Sequence, residues 1–408
     1  MNRLLPFEWI AAVRFLREGR LQTWFIIGGV AVGVGVIVFM SAMLAGLERN
    51  FLKRVLTSQA HIQLLPPDQA ARPLRGAPDL VADPIVQRPA QRLASVDQWR
   101  RIADTLRATP GIATVSPTVV GSALAIRGEA SRSVTMTGVD PSTYFRIVRV
   151  PDYVVAGEAR LTSEDVLVGV ELARELGAMV GDKINLRAAS GAVRALTVAG
   201  LLDFGNKGAN QRIAFVALRT AQSFLGLIGG VTAIDVAVED IFAAEEIARG
   251  IAAIHDVKAE SWIATNAQFF AAMRAQINTN TLIRVFVGLS VAFGIAAVLV
   301  VSVIQRSKDI GILRAMGTRR GQILRVFLIQ GGLLGFAGSL LGAALGTAAL
   351  VWWHALARQA DGSELFPLVV EPALFLATAL LATATGVLAA AAPALRAARL
   401  DPVVAIRG

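Results

Sequence analysis

Residues 305–325 read Q-R-S-K-D-I-G-I-L-R-A-M-G-T-R-R-G-Q-I-L-R, a short basic stretch between two long apolar runs. Arg306, Lys308, Arg314, Arg319, Arg320 and Arg325 stand against a single acid, Asp309. Basic residues flanking a membrane span stay on the cytoplasmic side. This stretch therefore sets the orientation expected of everything around it. It also carries an apolar stripe. At helical spacing Ile310, Leu313 and Met316, with Ile312 beside them, share one side. Ser307 or Asp309 is placed to cap the helix start, and Gly317 to end it in a left-handed turn. A short amphipathic helix at the inner face of a membrane needs a partner or the lipid surface.

Composition supports the membrane reading. Of 408 residues, 54% are hydrophobic and 17% charged, and mean hydropathy is +0.57. A soluble chain carries more charge. The excess sits in four apolar runs, residues 21–47, 285–305, 326–357 and 372–395. Each exceeds the ~20 residues a helix needs to cross a bilayer. The first run is longer than the apolar core of a signal peptide, and no small-residue cleavage site closes it. It is read as a retained span.

The net charge of +10 does not imply a nucleic-acid partner, because of where it lies. Arg3, Arg14, Arg17 and Arg20 precede the first run, and Arg396, Arg399 and Arg407 come after the fourth. With four spans, these groups and the basic stretch share one side. The loop at 358–371 carries Asp361, Glu364 and Glu371 against Arg358, as expected on the opposite side. Both termini are thus expected inside and residues 48–284 outside.

Residues 7–20 read either as an interfacial helix, with Trp9 at headgroup level, or as the inner end of the first span. Within that span Gly29 and Gly33 are spaced for close helix contact, with Ala31 and Gly35 beside them. The third run repeats the pattern at Gly331 and Gly335, then Gly338, Gly342 and Gly346. Between the first two spans, residues 61–65 read as a strand and 66–89 as a proline-rich loop. Residues 96–109 read as a helix, and 112–115, 119–126 and 133–139 as strands. The helix around Ile102 and the strand after it align without a gap on the helix around Ile247 and its own next strand. Two related β-α-β units are therefore expected. Residues 146–230, rich in strand and turn signals, are read as an inserted β-rich subdomain. Residues 262–284 are read as a helical stalk entering the second span. The architecture expected is an α-helical membrane protein with four transmembrane helices and a large external α+β domain.

Catalytic chemistry is sparse. There is no cysteine, and His61, His255 and His354 are the only histidines. None sits in a metal spacing. No P-loop motif or nucleophile elbow occurs. The spans hold almost no ionisable residue, which argues against a proton- or ion-coupled carrier. No catalytic or metal-ligating residue is assigned. Work must come from a partner, and the basic stretch is the natural place to receive it.

The run D-I-G-I-L-R-A-M-G-T-R-R-G-Q-I-L-R at 309–325 resembles the signature loop of FtsX/MacB-type ABC transporter permeases. The tail A-A-R-L-D-P-V-V-A-I-R agrees, as do G-V-D-P at 138–141 and V-L-V-G-V-E-L-A-R-E-L-G-A-M-V-G-D-K-I at 166–184. The start of the outer domain is similar to lipoprotein-releasing permeases of the LolC/LolE kind. The resemblance implies that 1–20 is cytoplasmic or interfacial, 48–284 is a periplasmic domain with porter-like units, 306–325 is a coupling loop and 396–408 is a cytoplasmic tail. It makes Lys308, Asp309, Ile310, Ile312, Leu313, Arg314, Met316 and Gly317 the helix seated on an ABC ATPase dimer. ATP and Mg would be bound by that partner, with no cofactor in this chain. Gly29, Gly33, Gly338, Gly342 and Gly346 would pack membrane helices. A second permease copy or homologue, and a periplasmic adaptor or chaperone, are further implied partners. The function implied is non-catalytic: ATP-driven movement of the outer domain on a lipid-anchored or hydrophobic cargo such as a lipoprotein. Tripartite efflux with an adaptor, or regulation of a periplasmic enzyme, are the alternatives.

Overall fold

The computed structural model describes residues 6–68, 93–357, 368 and 371–400. Most of the proline-rich loop, the 358–371 loop apart from Leu368 and Glu371, and the tail beyond Leu400 lie outside the described residues. The chain divides into two compact units, Met1–Leu52 with Ala271–Gly408, and Lys53–Phe270.

A short helix α1 (Phe7–Glu18) meets a break at Gly19 and gives way to the long α2 (Arg20–Ser58). Strand β1 (Ile62–Leu65), helix α3 (Trp99–Arg107) and strand β2 (Ile112–Arg127) come after it. Next are β3 (Ala130–Val139), α4 (Pro141–Ile147), β4 (Val154–Gly157), β5 (Asp165–Gly169), α5 (Val170–Leu176), β6 (Lys183–Ala188) and β7 (Val193–Leu202). The chain continues through α6 (Lys207–Asn210), β8 (Ile213–Ala217), α7 (Leu218–Phe224), β9 (Ala233–Val238), α8 (Ala244–Ile254), β10 (Lys258–Ser261) and α9 (Trp262–Thr265). The last elements are α10 (Ala267–Gln305), α11 (Ser307–Ala315), α12 (Arg320–Leu356) and α13 (Pro372–Arg399).

In the unit Lys53–Phe270, four strands pair in the order β10-β1-β9-β2, every pair antiparallel. Chain order and spatial order interleave. Each β-α-β half, β1-α3-β2 and β9-α8-β10, straddles one strand of the other half. This is the split β-α-β arrangement, and the repeat read in the sequence marks its two halves. Ile62 and Leu64 of β1 are fully buried, as are Ile234 and Val236 of β9. Each such side chain contributes roughly 1.5–3 kcal/mol of apolar burial. Trp262 is 1% exposed. Its indole N–H donates to the Ile241 carbonyl at 2.7 Å, and its ring meets Phe270 edge-on at 5.4 Å.

Strand β2 links this sheet to a second one. Residues Ile112 to Thr118 pair with β9, with a register shift near their start. From Val119 the partner becomes β3. The second sheet adds β8, β5, β7 and β4, with β6 bridging β2 and β7. It thus takes in the distal half of β2 and all of β3, and starts earlier in the chain than the 146–230 segment. Local sequence divides 112–115 and 119–126 into two strands. They are one strand that changes partner, and partner choice depends on residues distant in the chain.

Among the described residues four helices, α2, α10, α12 and α13, are long and apolar enough to cross a membrane. Two outrun their apolar cores. Helix α2 continues past residue 47 to Ser58, and α10 begins at Ala267, well before residue 285. The boundary between the units falls inside both helices. Helix α13 carries Pro393 buried within it and continues to Arg399, so the tail read from residue 396 starts helical. Membrane helices tolerate an internal proline when neighbours satisfy the freed carbonyl.

Helix α12 is the hub of the long helices, and its glycines explain why. A β-carbon at Gly338 would lie 2.5 Å from Val30, and one at Gly342 would lie 2.6 Å from the Ala31 carbonyl oxygen. At Gly346 it would lie 2.7 Å from the Gly35 carbonyl oxygen. Backbone meets backbone along this rail, so α12 and α2 approach as only glycine permits. One turn away, Gly331 and Gly335 serve α13. Their β-carbons would fall 2.3 Å from the Gly386 carbonyl oxygen and 2.4 Å from that of Ala382. On α2, Gly33 faces α10, with Val287 at 2.8 Å from the same hypothetical atom. Gly29 is a correction: a β-carbon there meets nothing within 4 Å, and the residue is exposed. It is four residues from Gly33 and lines a cleft between α2 and α10 with Ser290 and Gly294, where the helices leave room for a side chain.

Candidate functional site: the basic elbow and what holds it

Helix α10 ends at Gln305 and α11 starts at Ser307. The single residue between them, Arg306, is the hinge of the elbow. Backbone bonding barely lapses there. Arg306 N–H donates to the Ser302 carbonyl at 3.1 Å and Ile310 N–H to the Arg306 carbonyl at 3.0 Å. Neither Ser307 nor Asp309 caps α11, because the chain enters almost directly from the preceding helix; the capping position is Arg306 and makes no side-chain bond to the helix. Asp309 lies in the first turn, where a negative charge suits the helix dipole.

The far end matches the sequence expectation closely. Gly317 has φ +101°. Its N–H donates to the Arg314 carbonyl at 3.1 Å, and Thr318 N–H reaches the Leu313 carbonyl at 3.1 Å. These two bonds form a Schellman motif, which needs a residue with positive φ after the helix. Helix α12 then begins at Arg320, with Arg319 N–H donating to Gln322 Oε1 at 2.9 Å.

The apolar stripe does not form one surface. Ile310 is fully buried and joins a core with Val303 of α10, Ile323 and Phe327 of α12, and Ala394 and Ala397 of α13. Gly311 beside it is buried as well. Ile312 is 48% and Met316 72% exposed, and Leu313 is half-buried. Ile310 is therefore an anchor, correcting its expected place on the docking face. The outward surface comprises Ile312, part of Leu313, Met316 and the exposed Lys308 and Asp309. Periodicity cannot distinguish these roles. The elbow folds so closely on α12 and α13 that one residue of the stripe is drawn inward.

Two arginines secure the elbow, and in sequence both register only as topology charges or rim contacts. Arg306 turns back to α1. Its guanidinium pairs with Glu18 Oε2 at 2.8 Å, donates to the Phe15 carbonyl at 3.0 Å and lies 4.6 Å from the Phe15 ring centre. Arg14 also binds Glu18, at 3.0 Å. The hydrogen bonds from Arg14 and then Arg306 hold the Glu18 carboxyl below its ordinary pKa. Arg314 reaches the last carbonyls of α13, at Ala398 and Leu400. A cation there satisfies carbonyls the helix leaves unpaired and complements its dipole.

Helix α1 is docked in turn. Phe15 meets Phe327 with ring centres 6.4 Å apart. Gln330 donates to the Ala12 carbonyl at 3.4 Å, and Arg325 lies 3.8 Å from Glu8. Higher in the bundle, Arg284 of α10 donates to Ser41 of α2 at 2.6 Å. In sequence Arg284 only marks the edge of the second span, and nothing local indicates this partner.

The other unit holds a buried polar layer. Asp235 on β9 is 4% exposed and lies between Gln63 of β1 and Ser116 of β2 in strand register. Gln63 Nε2 donates to Asp235 Oδ1 at 3.0 Å. Ser116 bonds Thr143 of α4 at 2.9 Å. Burial pushes the Asp235 carboxyl up to about 6, against the bonds from Gln63 and Thr118. Among the described residues no group of three or more His, Asp or Glu is placed to hold a metal ion.

Comparison with known proteins gives these features a common setting. The profile described as "FtsX-like permease C-terminal" matches residues 281–402, which contain the apolar part of α10, the elbow, α12 and α13. The profile "MacB-like periplasmic core domain" matches residues 23–254, more than half of the chain. A lipoprotein-releasing system transmembrane protein LolC from Xylella fastidiosa is 23% identical, over 98% of this chain and 99% of its own. Its counterpart from Neisseria meningitidis is 24% identical, over 85% and 82%. A macrolide export ATP-binding/permease protein MacB from a Shewanella species is 26% identical over 95% of this chain but only 58% of its own. Among solved structures, the periplasmic region of MacB from Actinobacillus actinomycetemcomitans covers 53% of this chain and 94% of its own, at 13% identity and a TM-score of 0.35. Matched over more than half its length, the chain belongs to the FtsX/MacB-type family of ABC transporter permeases.

Proposed function

We propose that this chain is the non-catalytic permease subunit of an ABC complex in a bacterial inner membrane, with both termini cytoplasmic and residues 48–284 periplasmic. A separate ATPase dimer, holding ATP and Mg, closes beneath the elbow. Helix α11 moves with it, and α2 and α10 carry the motion outward as mechanical work. The observation that carries this reading is the two-sided elbow. Its inner side is locked by Ile310, Arg306 and Arg314, so force applied to it reaches the bundle. Its outer side offers Ile312 and Met316, flanked by Lys308 and Asp309, which suits an apolar groove with a polar rim on the partner.

The cargo we infer is lipid-anchored or hydrophobic, such as a lipoprotein, moved by a pair of permeases of which the second is a copy or a homologue. Similarity to LolC relatives along nearly the whole chain supports this. The similarity to MacB over 95% of the chain supports a second reading, export with a periplasmic adaptor or chaperone. Regulation of a periplasmic enzyme is a third outcome the same machinery would allow. The test is co-purification with candidate ATPases, comparing the native chain with Leu313→Asp and Met316→Asp. Loss of association and of stimulated ATP hydrolysis in folded variants is expected. Unchanged association in both would remove the elbow as the ATPase contact.

A further inference from the structure

The outward face of α1 is unusual for the end of a helical bundle. Phe7, Trp9, Ile10 and Val13 are 43%, 42%, 52% and 37% exposed. On the same arc stand the exposed Arg14 and Arg17. Of the two acids of the helix, one points away and the other is shared between two arginines, so that it cancels only one of their charges. Glu8 lies near Arg325 with its side chain 13% exposed, and Glu18 pairs with Arg306 and Arg14. The face left over is apolar and cationic. Its place in the chain says what it meets, because only Gly19 separates α1 from α2, whose apolar run begins at once. We propose that this face of α1 is a binding surface for anionic phospholipid. The apolar side chains enter the headgroup boundary while Arg14 and Arg17 engage headgroup phosphates. Zwitterionic lipid offers the same phosphate but cancels its charge with a headgroup cation. The arginines, with Arg20 at the next helix start, give the preference for net negative charge. Since Glu18 and Phe15 of this helix hold Arg306, lipid bound to its outer face steadies the elbow from the membrane side. The surface exists whether or not the elbow contacts an ATPase.

The absence of cysteine allows a direct test. The full chain carrying Ile10→Cys with a spin label is reconstituted in vesicles of phosphatidylcholine, alone or with a minority of phosphatidylglycerol. Access of an aqueous nickel chelate to the label is then measured. A basic residue near an anionic surface gains roughly fivefold in binding. Phosphatidylglycerol should therefore lower chelate access several-fold. Arg14→Gln with Arg17→Gln should abolish the change, and Arg14→Lys with Arg17→Lys should keep it. A label on lipid-exposed Val36→Cys reports whether the bundle is intact and should not respond. Equal access in both lipids, or a glutamine variant that responds like the native chain, would overturn the proposal.

Discussion

Arg306 and Glu18 lie 288 positions apart in the chain, yet their charged groups are 2.8 Å apart. The Arg306 side chain is 13% exposed and that of Glu18 48%. The pair ties the hinge of the elbow to the end of the N-terminal helix. Removing the arginine takes away the ion pair, the bond to the Phe15 carbonyl and the stacking on its ring together. Arg306→Ala should therefore raise hydrogen exchange across α1 more than Glu18→Gln does, because Glu18 contributes only one of the three contacts. The depressed Glu18 pKa sets the pH window. Its stabilising share is complete above the ordinary carboxylate value near 4.5 and is lost as pH falls through the lower folded value. Exchange of α1 in the native chain should hence be flat around neutral pH and rise only in acid, after correction for intrinsic rates. Equal exchange in native and Arg306→Ala chains would show that α1 stays docked without the latch.

Ile310 and Met316 belong to one sequence stripe and should behave oppositely. Ile310 is fully buried and Met316 is 72% exposed. Ile310→Ala removes packed atoms and should cost about 2–5 kcal/mol, seen as a lower melting temperature in detergent. Met316→Asp should leave the melting temperature close to native and act only on partner association. A large melting shift for Met316→Asp, or none for Ile310→Ala, would reverse the assignment of inner and outer faces.

The glycines offer a sharper contrast. At Gly342 a methyl group would fall 2.6 Å from a backbone oxygen and 2.7 Å from Val34 Cβ. Neither can yield without separating α12 from α2. Gly342→Ala should thus lower thermal stability clearly, and Gly342→Val should prevent recovery of a monodisperse protein. Gly29→Ala meets nothing and should be neutral or slightly stabilising, since alanine is the better helix former. Size-exclusion profiles and melting curves of the three variants decide the matter.

How much can be read from sequence depends on the range of the forces involved. The apolar cores of the long helices, several of the strands and the Gly317 turn depend on nearest neighbours or on solvent, and these are legible in the sequence. The split β-α-β unit was legible because its halves repeat. The partner change of β2 at Val119 was not, since both of its partners lie elsewhere in the chain. The same holds within the candidate site. That the elbow is a helix is a local fact. That Ile310 turns inward, that Arg306 holds Glu18, and that Arg314 caps α13 are decided by helices arriving from distant segments. Basic residues were legible as charge beside a membrane, but their distribution between solvent and protein was not. Gly29 and Gly33 share a spacing, and only the closeness of α10 at each position separates them.

Asp235 gives a prediction in the other unit. Its carboxyl is enclosed by the sheet and α4, with Gln63 donating to one oxygen, and burial lifts its pKa from 3.8 to about 6. The folded state therefore binds a proton more tightly than the unfolded state. Between those values stability must fall as pH rises, because the unfolded chain releases the proton first. The favourable share is complete below about 3.8 and is lost by about 6. Above that, ionised Asp235 imposes a constant penalty of about 3 kcal/mol. Asp235→Asn keeps an oxygen for Gln63 and removes the titration. In a fragment spanning residues 53–270, denaturant unfolding should show the native sequence gaining on the variant as pH drops from about 7 to about 4, the window that brackets the two values. At neutral pH and above, Asp235→Asn should be the more stable of the two. A stability difference that does not change with pH would mean that the folded domain holds the Asp235 proton no more tightly than the unfolded chain does, and that burial at this position is compensated by a group other than Gln63 and Thr118.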